Sequence, residues 1–304
     1  MKLSTPVTIS APLQLLGLRS RIAFIGSCFA ENIGARVKQN GLPVLVNPFG
    51  VLYNPLSILQ TLAQNPQFDS LYFADDDGQW HCWLTDSSLS ASSLEACKAA
   101  VLAARGRLFS WKPTTLVITL GTTHYYERDR LVVGNCHKQP QAEFTESELT
   151  LEQTISTLDS ICQLFPQSQI VFTVSPYRYA KYGMHESQLA KATLLLAIEA
   201  VRKSRPTQVC YFPAYELVVD ELRDYRFYAE DMLHPSQQAI EIIFERFTSA
   251  YMDAETQQFY ADYEPIRKAL QHRPVKPGSE AAMRFVEKTR QQVSDLMHKY
   301  NIEL

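Results

Sequence analysis

Five short apolar runs, set apart by longer stretches of helical period, constrain this 304-residue chain more than any other feature. RIAFI (21–25), PVLV (43–46), TTLVITL (114–120), QIVFTV (169–174) and TQVCYF (207–212) are rich in β-branched and aromatic residues, as strands buried on both faces are. Helical patterns fall at about 28–40, 55–64, 90–107, 147–165, 185–204 and 236–252. Strand then helix, repeated, predicts a parallel sheet with helices on both faces, joined by right-handed crossovers. Sheets of this kind bind ligands at the carboxyl ends of their strands, beside the switch in strand order.

The first of these strand ends is the most telling. In IAFIGSCFAENIG (22–34) the apolar run stops at Gly26-Ser27-Cys28 and a helical pattern follows. Ser27 is thereby lifted to the mouth of a helix N-terminus, where free N–H groups favour an anion or oxyanion. It reads either as a helix N-cap or as a nucleophile. A base is needed to separate the two, and AEDMLHPSQQAIEIIFERF supplies a candidate: Asp231 and His234, three residues apart, ahead of Pro235 and a helix. The carboxylate can hold one ring nitrogen while the other faces Ser27. A second pair of the same spacing, Asp295 and His298, lies within an amphipathic C-terminal helix and reads as a solvated face. Cys28 is a rival nucleophile by position, because a helix N-terminus favours a thiolate; it is expected to pack away from the site.

GSCFA (26–30), NPFGVLYNP (47–55), GNCHK (134–138), VSPYR (174–178) and YFPAYELVVDELRDYRFYAEDMLHPS (211–236) together resemble the GSCFA family, a branch of the SGNH/GDSL-like esterase and lipase superfamily. The resemblance spans about residues 1–250. It implies a three-layer α/β/α, flavodoxin-like hydrolase fold with a five-stranded parallel sheet of order 2-1-3-4-5, and Ser27, His234 and Asp231 as a catalytic triad. In the superfamily the oxyanion is held by the nucleophile's own N–H, a Gly after the second strand and an Asn after the third. Ser27 and Gly50 fill the first two places; Thr123 stands where the Asn would be, with Asn135 and His137 as competing donors. Asn47, His137, Arg178 and Lys191 are the remaining substrate-binding candidates, Lys191 being what is left of a Ser-Lys pair whose Ser is replaced by Ala190. The implied activity is that of a serine esterase on a small-molecule or carbohydrate ester, such as an O-acetylated or acylated sugar, with no cofactor. A transferase using the same site, or a binding protein that keeps the fold without turnover, is the alternative.

Composition narrows the partners. With 29 Lys and Arg against 32 Asp and Glu, the net charge of −3 offers no basic field for nucleic acid. No leader pattern and no run of about 18 apolar residues is visible, so a soluble cytoplasmic protein without membrane contact is expected. The six cysteines (28, 82, 97, 136, 162, 210) form no C-x-x-C pair and read as reduced thiols. Asn135-Cys136-His137 lacks a second ligand cluster, so no metal is expected. Residues 66–89 fit neither period and read as an irregular or short β insertion. The hydrolase domain is expected to occupy residues 1–252. Residues 253–304 then form a helical extension of two helices, about 255–271 and 278–300, split by HRPVKPGS. Such an extension covers a sheet edge, caps the cleft or makes a homo-oligomer.

Overall fold

The computed structural model describes residues 5–272 and 279–302. In chain order the strands are β1 (Ile22–Gly26), β2 (Val44–Val46), β3 (Tyr72–Ala74), β4 (Trp80–Cys82), β5 (Thr115–Leu120), β6 (His124–Arg128), β7 (Leu131–Val133), β8 (Thr145–Glu148), β9 (Gln169–Val174) and β10 (Val209–Tyr211). The helices are α1 (Cys28–Gln39), α2 (Pro55–Ala63), α3 (Leu94–Trp111), α4 (Leu151–Leu164), α5 (Met184–Ser204), the single turn α6 (Ala214–Glu216), α7 (Gln237–Tyr251), α8 (Ala254–Gln271) and α9 (Glu280–Tyr300).

The central sheet runs β10-β9-β5-β1-β2, every pair parallel. With the inserted strands set aside, this is the expected order 2-1-3-4-5. The two-residue period of the strands sorts their side chains into two cores. Ile22, Phe24, Val117 and Val171 face α1 and α7, in a cluster that also takes in Phe259 of α8 and Leu296 and Tyr300 of α9. Ala23, Ile25, Ile118, Phe172 and Val174 face the other way, against α2, α4 and α5. Leu16, ahead of β1, pairs with Met252 just after α7, which ties the N-terminal segment to the start of the C-terminal helices. The expected break HRPVKPGS falls largely on 273–278, outside the described residues.

Gly26 ends β1 for a steric reason. Its φ is +130°, and a Cβ there would lie 2.1 Å from the Thr119 carbonyl oxygen of the neighbouring strand. No other residue lets the chain close this tightly on β5 and still release Ser27 at the edge.

Two small sheets lie outside the central one. β3 and β4 form a hairpin within the 66–89 segment, as a short β insertion. The antiparallel sheet β7-β6-β8 is absent from the sequence reading. Its β6–β7 turn places Asp129 and Arg130 at φ +52° and +67°, a conformation that usually announces itself as Asn-Gly. Without glycine or asparagine there, the hairpin leaves no local mark.

Candidate active site

Ser27 stands where β1 gives way to α1. Its backbone is extended (φ −68°, ψ 173°) and its Oγ accepts the Phe29 N–H at 3.3 Å, which makes it the N-cap. Its carbonyl accepts from the Ala30 N–H at 2.8 Å, and the residue is only 1% exposed. Capping occupies a lone pair of the hydroxyl and leaves its hydrogen to donate.

The second half of the site is the turn before α7. Asp231 Oδ1 accepts the N–H groups of Leu233 and His234 at 2.9 and 3.0 Å, and Oδ2 lies 2.6 Å from His234 Nδ1. These bonds, the imidazole's first, pull the Asp231 carboxyl down to about 2. An ionised carboxylate only accepts, so Nδ1 carries the proton and Nε2 is left as the basic edge. The His234 side chain is 47% exposed, and Nε2 has no hydrogen bond among the described residues. Arg178 braces this turn: its N–H donates to Leu233 O at 3.1 Å and its Nη1 to Met232 O at 3.0 Å, where Met232 holds a left-handed φ of +58°. The charge expected to meet substrate is thus engaged with the loop, its guanidinium facing Tyr225 and Tyr228.

Tyr177 links the halves. Its ring centroid lies 4.3 Å from that of His234, and its hydroxyl is raised by burial and by the charges of Asp231 and Cys28. The tyrosines of SPYRYAKYG follow directly on β9, a position that marks them as a group and none of them singly. Cys28 is the first residue of α1 and is half-buried. The first residue of a helix does not continue the alternation of the strand before it. Burial, then Glu31, pushes its thiol up, which disfavours the thiolate that nucleophilic attack would need.

Three of the expected oxyanion donors, the Ser27 N–H, the Gly50 N–H and the Thr123 hydroxyl, are engaged elsewhere. The Ser27 N–H donates to Thr119 O at 3.1 Å, extending the β-ladder by one step, and the Gly50 N–H donates to Asn47 O at 2.8 Å, closing the NPFG turn. Gly50 is glycine for a different reason than the one inferred: it sits at φ +78°, and a Cβ would strike the Asp86 carboxylate at 1.8 Å. Thr123 is fully buried and its hydroxyl donates to Glu148 Oε1 at 2.7 Å, between β6 and β8. Asn135 Oδ1 accepts the His137 N–H at 2.7 Å within a tight turn.

Two more expectations are corrected. His137 is buried with Nδ1 3.1 Å from Ser87 Oγ and Nε2 2.9 Å from Cys82 O, so both ring nitrogens are taken. Lys191 is 2% exposed and donates to Gly121 O and Ser175 O at 2.6 and 2.7 Å, tying together the carboxyl ends of β5 and β9 from beneath. Burial lowers its ammonium to about 7. Neither side chain is available to a substrate. Asn47, by contrast, accepts the Gly26 N–H through Oδ1 at 2.9 Å while its Nδ2 is buried without a partner. Among the described residues no group of three or more His, Cys, Asp or Glu side chains could hold a metal ion. None of the helices among them is long and apolar enough to cross a membrane.

Comparison with solved structures finds a family 3 carbohydrate esterase of Clostridium thermocellum, at 12% identity and TM-score 0.36, covering 83% of this chain and 99% of that one. A family two carbohydrate esterase of Clostridium thermocellum in complex with cellohexaose is similar at 14% identity and TM-score 0.36, covering 79% and 65%. Likeness at this level says nothing about substrate. A comparison with curated proteins gives no match. Residues 263–303 match the model described as the GSCFA domain protein, C-terminal domain. The model of the GSCFA family itself matches residues 21–247, well over half of the sequence, and the chain belongs to that family.

Proposed function

We propose that the protein is a serine esterase in which Ser27 attacks an ester carbonyl. His234 takes the serine proton through Nε2, and Asp231 holds the imidazole in the tautomer this requires. The acyl group passes to Ser27 Oγ as the alcohol leaves with a proton from His234, and water releases the acid by the same steps reversed. The observation that carries the reading is the 2.6 Å Asp231–His234 contact on an exposed imidazole, packed on Tyr177, which follows β9 at the same carboxyl edge of the sheet as Ser27. With the Ser27, Gly50 and Thr123 donors engaged, the oxyanion falls to the N–H of Cys28, which as the first helical residue has no acceptor within α1, and to Asn47 Nδ2. Ser27 is closed off at 1% exposure, so attack requires the turn bearing His234 to move over it as substrate binds.

The test is hydrolysis of p-nitrophenyl acetate and butyrate by the wild type, Ser27→Ala, His234→Ala and Cys28→Ala. Loss of about a thousandfold in both of the first two variants, with Cys28→Ala active, supports the triad. Equal rates in all four refute it. The burial of Ser27 and its use as a cap also favour a second reading, a binding protein that keeps the fold without turnover. Ligand binding unchanged by Ser27→Ala and His234→Ala, together with no hydrolysis, would establish that reading.

A further inference from the structure

A cavity opens at the end of the sheet opposite Ser27, where β1, β5 and β9 begin. It measures about 380 Å³, and its lining includes Arg21, Phe109, Lys112, Leu164, Phe165 and Pro166. That volume lies toward the small end of the roughly 300–1,000 Å³ of small-molecule pockets. The strand starts beneath it are tied together: Thr114 N–H donates to Arg21 O at 2.8 Å, Gln169 N–H to Thr114 O at 2.9 Å and Ser168 Oγ to Pro113 O at 2.6 Å. The sheet therefore fixes this wall.

The charge around the cavity is one-sided. The protein carries 32 Asp and Glu, yet the segments that meet here lie within three stretches, 1–30, 96–126 and 160–185, that contain none of them. Arg21 and Lys112 are both exposed, and neither has an acidic partner among the described residues. Lys112 ends α3 in a left-handed conformation (φ +49°), and its carbonyl accepts Arg21 Nε at 2.8 Å. That bond uses one of the guanidinium's five N–H groups and anchors the side chain. Both Nη groups are left as a fork, the geometry that matches a carboxylate.

The other lining side chains named are apolar. Phe109 and Phe165 are stacked on each other at 5.4 Å with their planes 12° apart, so a ligand meets their edges, the positive side of the ring quadrupole. A small hydrated anion draws nothing from such walls, and a hydrocarbon draws nothing from the fork. A carboxyl group on a short apolar body uses both.

We infer that this cavity binds a small amphipathic carboxylate, with Arg21 and Lys112 on its carboxyl group and its apolar body against Phe109, Leu164 and Phe165. The site stands at the opposite end of β1 from Ser27 and is independent of the esterase reading.

Octanoate, benzoate and 3-phenylpropionate, titrated into the protein and followed by saturation-transfer NMR, test it. At least one should bind, and both acetate and the corresponding alcohol should bind more weakly by about tenfold or more. Arg21→Gln and Lys112→Gln should each lower the affinity by about fivefold or more, as expected for an exposed charged contact, and His234→Ala should leave it unchanged. Both substituted side chains are exposed, so the variants should keep the wild-type urea midpoint closely; if Arg21→Gln unfolds through loss of its bond to α3, Lys112→Gln alone decides. Failure of all three acids to bind overturns the site, as does affinity that ignores the substitutions or that the alcohols share. Affinity lost in His234→Ala and kept in Arg21→Gln would put the acid at the Ser27 edge and also overturns it. Binding that depends on Arg21 and Lys112 in a protein that hydrolyses no ester leaves the site standing and removes the esterase reading alone.

Discussion

Two Asp–His pairs are hydrogen-bonded among the described residues, and the one with the more complete hydrogen bonding lies outside the central sheet. In the β3–β4 hairpin, His81 Nε2 lies 2.9 Å from Asp75 Oδ2 and its Nδ1 2.6 Å from Ser90 Oγ, a continuous Asp–His–Ser chain. The bond to His81 lowers the Asp75 carboxyl, as the bond to His234 lowers Asp231. Yet the His81 side chain is 9% exposed against 47% for His234, stacks on Phe73 and lies 4.6 Å from the His137 ring. A base must have a lone pair that substrate can reach, and His81 has spent both nitrogens on the fold. His234 has spent one. Hydrogen bonding alone would favour the hairpin's Asp–His–Ser chain; the triad proposed above rests instead on the strand end and the open nitrogen.

Exchanging the two histidines breaks or sharpens this contrast most sharply. His234→Ala should cut p-nitrophenyl ester hydrolysis by about a thousandfold, while an exposed position keeps the change in unfolding free energy within about 0.5 kcal/mol. His81→Ala should do the reverse, removing two hydrogen bonds and a stacked ring for about 2–3 kcal/mol of stability, with the folded fraction still active. Urea unfolding and active-site-normalised rates check both, and a catalytic loss in His81→Ala without destabilisation would invert the assignment. The pH dependence follows from the same bonds. With Asp231 at about 2, the acid side of the kcat/KM profile should titrate as a single group with unit slope. Two titrations above about pH 3 would show that the carboxylate is not held as described.

How far these roles can be read from the chain depends on whether the determining contact is local. The five core strands follow from apolar period, which is local, and the Asp231–His234 spacing is local as well, whereas the strand order rests on the family resemblance. Gly50 could not be assigned correctly, because the atom that forbids its Cβ belongs to Asp86, 36 positions later. Thr123 was lost for the same reason: its partner Glu148 lies on β8, a strand of the sheet whose Asp129-Arg130 turn has no glycine. Lys191 reads as a substrate-binding candidate until α5 packs on the sheet and buries it. Tyr177 and Tyr179 were legible as a group but not as individuals, since only the folded edge sets one against His234 and the other over Gly121.

Lys191 extends the contrast to a buried cation. Its proton affinity is lowered from the ordinary 10.5 to about 7, so between those values the unfolded chain binds a proton that the folded one does not. Stability contributed by this residue therefore rises as pH climbs from about 7 toward 10.5 and is lost on the way down, by at most about 1.4 kcal/mol per pH unit. Lys191→Met removes that slope. Urea midpoints of the two proteins at pH 7, 8 and 9 should diverge, the wild type gaining relative to the variant; parallel curves would mean that the ammonium stays charged against its two carbonyls.

The smallest expected effect separates the two serines. Ser90→Ala deletes the end of the hairpin chain and leaves His81 Nδ1 without its partner, which should cost about 1 kcal/mol. Ser27→Ala deletes a helix cap and should cost about the same. On stability, then, the two substitutions are indistinguishable, although one serine ends a complete hydrogen-bonded triad and the other touches no histidine. Rate parts them: Ser90→Ala should hydrolyse p-nitrophenyl acetate at the wild-type rate and Ser27→Ala should not. Equal rates in both would leave Ser27 a cap and nothing more, because the bond to the Phe29 N–H is the one contact its hydroxyl then has.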